Sequence, residues 1–156
     1  MKEWVSKEDA LAKIQRYCAY QDRCHQEVRT RLLDMGVYRD WLEEIMVQLI
    51  EENFLNEERF ARSFARGKFR IKQWGRNRIR QELKRRNISA YCIRMAMEEI
   101  EEQDYLLALD AILRKKEASL QEEDAYKRNN KLARYAISRG FEPELAWRAI
   151  NDLFSQ

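Results

Sequence analysis

A single proline and four glycines in 156 residues leave few places where a helix must stop. One histidine and three cysteines are too few for a convincing metal or nucleophilic centre. Cys18, Cys24 and Cys92 form no CxxC pair, and a set built on Cys18, Cys24 and His25 lacks a fourth ligand at usable spacing. His25 follows Arg23 by two residues and has no nucleophile–base arrangement around it. Unpaired cysteines in odd number fit a reducing compartment. No apolar run approaches the ~20 residues that span a bilayer. The opening MKEWVSKEDALAKI has acids where a signal peptide has an apolar stretch. There is no glycine-rich phosphate loop and no Walker sequence. The acidic groups Glu98-Glu99, Glu101-Glu102 and Glu122-Glu123-Asp124 lie amid polar neighbours and read as solvated helix faces rather than acid–base pairs. These absences point to a cytoplasmic protein without membrane attachment, metal, cofactor or catalytic site.

What the chain does have is charge, and the charge is unevenly spread. Charged residues make up 37% of the sequence, yet the net charge is only +3. Residues 59–86 hold twelve arginines and lysines against one acid, Glu82, a local charge of +11 that leaves −8 for the rest. Read at ~100° per residue, Phe60, Phe64 and Ile71 share one helical face, with Arg59, Arg62, Arg66 and Arg70 on the opposite side. After Trp74-Gly75 a second helical run sets Ile79 and Leu83 on a seam and Arg76, Arg80 and Lys84 on a line four residues apart. Like charges at that spacing repel by about a few tenths of a kcal/mol per pair. An anionic partner offsets such repulsion, and a nucleic acid is the natural one. The candidate contacts are Arg66, Arg70, Lys72, Arg76, Arg80 and Lys84, followed by Arg62 and Arg85. Trp74 either packs against the helix junction or offers a platform on which a base stacks.

Self-comparison shows a repeat. Segments 27–50, 78–101 and 131–154 align at offsets of 51 and 53 residues. Val28, Ile79 and Leu132 correspond, as do Leu32, Leu83 and Ala136; beyond the turn, Trp41, Cys92 and Leu145 correspond. Gly36, Asn87 and Gly140 hold the same place, each followed by an apolar residue: Val37, Ile88 and Phe141. Glycine and asparagine accept the left-handed conformation that ends a helix, and the apolar residue after them packs back on the last turn.

Each repeat reads as three helices, giving an all-α chain of three modules, 1–55, 56–103 and 104–156, in an elongated, curved array. Ser6 with Asp9 marks the first helix start, a break comes near Asp22-Arg23, and the third helix covers about 38–52. Asn56 caps the second module, whose helices cover roughly 57–73, 76–86 and 90–102. The third opens near Asp104, passes a polar junction at 121–130, and ends with a helix that begins at Pro143. Trp41, Trp147, Phe54, Phe60, Phe64, Phe141 and Phe154 read as packing residues rather than base platforms.

Residues 54–89, FLNEERFARSFARGKFRIKQWGRNRIRQELKRRNIS, resemble the RecX family of bacterial recombination regulators. The likeness lies in the opening Phe54-Leu55-Asn56, the core Arg59-Phe60-Ala61, and the G-x-x-R-I-x-x-E-L helix from Gly75 to Leu83. KLARYAISRGF (131–141) adds a family-like Arg-Gly-Phe ending. Asn53 and Asn87 stand where the family commonly has glycine, Asn56 where it has aspartate, and Cys24 where it often has serine. The resemblance covers about residues 6–154. It implies three three-helix modules, no enzymatic activity, and binding to the RecA filament on single-stranded DNA. It further implies inhibition of filament growth, ATP hydrolysis and strand exchange. A monomer lying in the filament groove, with its central basic faces on DNA phosphates or acidic protein, is the expected form. Two rivals remain at this level. A helix-turn-helix regulator would use Asn77 and Gln81 to read adenine, and a helical scaffold would bind an acidic protein without nucleic acid.

Overall fold

A computed structural model describes residues 5–154, and among them the backbone forms nine α-helices and no strand. They are α1 (Lys7–Tyr20), α2 (His25–Asp34), α3 (Arg39–Glu51), α4 (Glu57–Arg70), α5 (Arg76–Arg85), α6 (Ala90–Met97), α7 (Glu102–Ser119), α8 (Ala125–Ser138) and α9 (Pro143–Phe154). Side-chain caps fix many of the starts. Ser6 Oγ accepts the Asp9 N–H at 3.1 Å, Asn56 Oδ1 the Arg59 N–H at 2.8 Å, and Ser89 Oγ the Cys92 N–H at 3.2 Å. Asp124 does the same for Lys127, and Pro143 opens α9 where its missing N–H costs nothing.

The three aligned turns close α2, α5 and α8 with one hydrogen-bond pattern. The Val37, Ile88 and Phe141 N–H groups donate to Leu32, Leu83 and Ala136 carbonyls at 3.0, 3.1 and 3.1 Å. One residue earlier, Gly36, Asn87 and Gly140 donate to Leu33, Lys84 and Ile137. Their φ angles of +87°, +59° and +101° are the left-handed values that this closure needs. Val37, Ile88 and Phe141 are all buried, as are Val28, Ile79 and Leu132 one helix face earlier.

The elements differ from expectation in three places. Helix α4 stops at Arg70, and Gln73 takes a left-handed φ of +58° in the turn that follows. Helix α6 stops at Met97 rather than near 102 because Glu98, Glu99 and Ile100 turn tightly, each donating to the carbonyl three residues back. The Glu101 carboxylate then accepts the Gln103 and Asp104 N–H groups and starts α7. A boundary after residue 103 therefore falls in the first turn of α7. Trp41 is 46% exposed rather than packed, because Leu42, Ile45, Met46 and Leu49 already supply the buried face of α3.

Buried apolar side chains form two clusters. One joins α1, α2 and α3 through Ala10, Ile14, Val28, Leu32, Ile45 and Leu49. The larger one runs without interruption from α4 to α9 and also takes in Cys24. Its centre is an aromatic run in which the Tyr105 ring lies 5.8 Å from Phe69 and 5.1 Å from Phe141, centroid to centroid. The second and third helix triplets thus share one core, while the first keeps its own. No described helix is long and apolar enough to cross a membrane.

Candidate nucleic-acid interface

The basic stretch folds onto α4 and α5, and carboxylates distant in sequence claim much of it. Helix α6 lies against α4 and brings Glu98 and Glu99 with it. Arg62 pairs with Glu58, Glu99 and Glu98 at 3.1, 3.3 and 3.5 Å, and Arg66 pairs with Glu99. Arg59 is held by Asp22 at 2.7 Å and donates to the Phe54 carbonyl. Glu82 serves both Arg86 at 3.0 Å and the exposed Arg85 at 3.5 Å. The acidic pairs at 98–99 and 101–102 are therefore not idle solvated faces. Glu98, Glu99 and Glu102 are counter-ions, and Glu101 is a cap.

Arg76 departs most from the sequence reading. Its side chain is only 14% exposed and bonds Glu142 at 2.9 Å and also Glu102. Its guanidinium carbon stands 3.9 Å over the Tyr105 ring centre. The Tyr105 hydroxyl accepts the Arg76 backbone N–H at 3.0 Å and donates to Glu142. Burial raises the Tyr105 hydroxyl far above its ordinary value, and the neighbouring Glu142 carboxylate pushes the same way. Burial also works against the Glu142 carboxylate, but the Tyr105 and Arg76 hydrogen bonds outweigh it and hold the group below its usual range. Arg76 is thus committed to the joint between α5 and the third helix triplet, where two carboxylates balance its charge.

That joint is close at the backbone too. Gly75 N–H donates to the Arg139 carbonyl at 2.8 Å, and Asn77 N–H to the Gly140 carbonyl at 2.9 Å. A Cβ on Gly75 would meet the Gly140 carbonyl carbon at 2.3 Å. Two helix-closing turns dock here with no room for a side chain.

Other candidate cations lie at the end of α4 and on α5. Arg70 and Lys72, at and after the end of α4, are exposed, as is Lys84 on α5. Arg80, one turn before Lys84, is half-buried and donates to Asn77 Oδ1 at 3.1 Å. None of these four has a carboxylate partner among the described residues, so each keeps a positive charge without a counter-ion. Trp74 packs edge-on to Phe64 and carries Arg78 and Lys68 at 4.1 and 4.9 Å from its ring centre. Sequence reasoning ranked neither Lys68 nor Arg78 as contacts, and it passed over Lys115, Lys116 and Arg139 on α7 and at the end of α8. The signal for those three was weak because they belong to a triplet without a charge excess. Cys18, Cys24 and Cys92 are buried free thiols, and burial, against the pull of Arg23 and Arg59, pushes Cys18 up to about 11. Among the described residues no group of His, Cys, Asp and Glu is placed to hold a metal ion.

Comparison with known proteins gives consistent findings. The second three-helix domain of RecX matches residues 56–97, and the third three-helix domain of RecX matches residues 102–150. Together these cover more than half of the chain. The regulatory protein RecX of Prosthecochloris aestuarii is 25% identical over 146 residues, covering 94% of each chain. That of Clostridium tetani is 30% identical over 149 residues, covering 94% of this chain and 66% of the relative. That of Clostridium perfringens strain SM101 is 29% identical over 121 residues, covering 76% of this chain and 56% of the relative. The chain thus spans between about half and two thirds of these clostridial relatives and nearly all of the Prosthecochloris protein. The crystal structure of RecX from Lactobacillus salivarius matches with a TM-score of 0.85 at 19% identity, over 94% of this chain and 96% of that one. At that identity the likeness is one of fold.

Proposed function

Because this chain belongs to the RecX family of regulatory proteins, we propose that it regulates the RecA recombinase. It binds the RecA filament on single-stranded DNA and restrains filament growth, ATP hydrolysis and strand exchange. It acts by occupying a surface rather than by chemistry of its own. The proposed working units are the helix triplets α1–α3, α4–α6 and α7–α9, acting as one monomer.

The observation that carries this reading is that four of the candidate contacts, Arg70, Lys72, Arg80 and Lys84, are left without carboxylates among the described residues. Ion pairs that close on themselves lend little field to the outside. Unpaired cations attract phosphates through released counterions and through direct hydrogen bonds. Arg85 joins this set at lower weight, since its contact with Glu82 is long and its side chain is 78% exposed. Arg62 and Arg66, bound to Glu98 and Glu99, serve the α4–α6 packing first. Asn77 supports the RecX reading over a base-reading helix: its carbonyl oxygen is taken by Arg80, and its backbone N–H by Gly140.

The test is RecA ATPase on single-stranded DNA with substoichiometric amounts of this protein. The wild type is expected to suppress hydrolysis. A variant with Arg70, Lys72, Arg80 and Lys84 each changed to Glu is expected to keep its helical circular dichroism and lose that suppression. Undiminished suppression by this variant would overturn the assignment of the surface. No suppression by the wild type would overturn the RecA reading itself.

A further inference from the structure

Between α7, α8 and the turn after α4 the surface dips into a cavity of about 470 Å³. Its walls include Gln73, Lys115, Lys116, Ser119, Tyr135 and Arg139, above a floor supplied by α7. Every charged residue in this lining is a cation, and none of the three forms an ion pair. Carboxylates are near in the chain, yet Glu122, in the junction before α8, turns to Lys131 at 2.9 Å.

Three further features make this more than a basic hollow. The Tyr135 ring, half-buried, has Lys116 Nζ at 4.8 Å and Arg139 Cζ at 5.9 Å from its centre. The Arg139 guanidinium is fastened by the Lys72 and Gln73 carbonyls, which fix its position and leave its charge uncompensated. Gln73 itself is held at a φ of +58°, a conformation that glycine or asparagine adopts more readily. The turn that closes α4 sets this conformation, with the Gln73 N–H donating to the Phe69 carbonyl at 3.1 Å, and so holds Gln73 at the rim of the cavity.

We propose that this cavity receives one nucleotide of single-stranded DNA, its base laid against Tyr135 and its phosphate met by Lys115, Lys116 and Arg139. An aromatic face, a cationic rim and an amide for the base edge are what stacking recognition of single strands uses. The volume lies within the roughly 300–1,000 Å³ of small-ligand sites. An acidic protein segment would use the cations but has no need of the aromatic platform or the amide. The Lys72 carbonyl bonds Arg139, so the site adjoins the exposed cations at the end of α4. The inference rests on the reading that this protein meets single strands, but it needs no RecA.

The experiment compares fluorescence anisotropy of a labelled oligothymidylate with that of an abasic oligonucleotide of equal length and charge, using the whole chain without RecA. Tyr135→Leu is expected to weaken oligothymidylate binding about tenfold, the scale of one lost stacking contact, and to leave the abasic strand unchanged. Lys116→Gln is expected to weaken both. Gln73→Gly relieves the left-handed φ, so it is expected to raise thermal stability while weakening only the base-bearing strand. This variant keeps the test open if Tyr135→Leu unfolds. Equal effects of Tyr135→Leu and of Gln73→Gly on the two strands would overturn the proposal. So would displacement of the strand by oligoglutamate that binds with the same dependence on Tyr135, which would give the cavity to an acidic protein. RecA ATPase run with the wild type separates the two readings: a wild type that suppresses ATPase but binds the two strands alike sinks this cavity alone, and one that prefers the base-bearing strand but does not suppress ATPase sinks the RecA reading alone.

Discussion

A methyl group at Gly75 has nowhere to go, since its carbon would stand 2.3 Å from both the Gly140 carbonyl carbon and the Phe141 nitrogen. Both are backbone atoms of a turn whose own φ of +101° leaves it no freedom to retreat. Gly75→Ala is therefore expected to cost about 1–3 kcal/mol, the usual range for overpacking, read as a lower urea midpoint. Gly67→Ala is a matched control, because nothing lies within 4 Å of its added carbon, and helix propensity there favours alanine by up to about 1 kcal/mol. Glu142 makes the same joint sensitive to acid. Its carboxyl titrates below the ordinary value of 4.5 in the folded protein. A depressed carboxylate stabilises the fold fully above its unfolded titration range, and that stabilisation fades as pH falls through the folded value. The wild type is expected to lose thermal stability on going from pH 6 to pH 3 more steeply than Glu142→Gln, measured by circular dichroism melts at each pH. A parallel pH profile in the variant would show that Glu142 is not responsible.

Among the elements, α4 starts on a single side-chain cap. Asn56 accepts the Arg59 N–H at 2.8 Å, and the helix it starts carries Phe60, Ala61, Ala65 and Phe69 into the core. Asn56→Ala is expected to cost about 1 kcal/mol, visible as a lower denaturation midpoint with an unchanged slope. This cap, like the one at Ser6, was legible in the sequence because an N-cap bond spans three residues. So were the three turns at Gly36, Asn87 and Gly140, since left-handed closure demands particular residues in place. The end of α6 was not legible. The stretch Glu98–Glu102 has good helix formers throughout, and only the fit of Ile100 into the core and the capping by Glu101 break it. Trp41 was misjudged for a related reason: alignment put it level with Cys92 and Leu145, but the buried face of α3 is rotated toward Leu42 and Met46.

At the scale of the molecule, what matters is how many cations stay free. A basic stretch of +11 suggested half a dozen phosphate contacts. Six of its cations lack a carboxylate partner among the described residues, and two of them, Lys68 and Arg78, lie over the Trp74 ring, so Arg70, Lys72, Arg80 and Lys84 set a smaller footprint. For these four contacts alone on single-stranded DNA, log K is expected to fall against log salt with a slope of about −3, or roughly fiftyfold between 50 and 200 mM, and a phosphate held in the α7–α8 cavity steepens it by under about one more. Titrations at four salt concentrations measure it. A slope of −6 or steeper would mean that the internal ion pairs open on binding and release their arginines to the DNA. The shared core of α4 to α9 argues against such opening, because Arg76 and its partners lie within that unit.

The residue order by itself determined that the chain is helical, where the helices stop three times over, and which faces are apolar. Those properties depend on groups three to five positions apart, so they are written in short segments. It also determined that positive charge is concentrated between 59 and 86. Which of those charges reach outward was decided only by folding. Glu98 and Glu99 came within reach of Arg62 and Arg66 because α6 lies along α4. Glu142 came within reach of Arg76 because two tight turns interlock 66 residues apart. Coulomb pairing acts through space, and the distance that counts between two charges is set by how the helices pack.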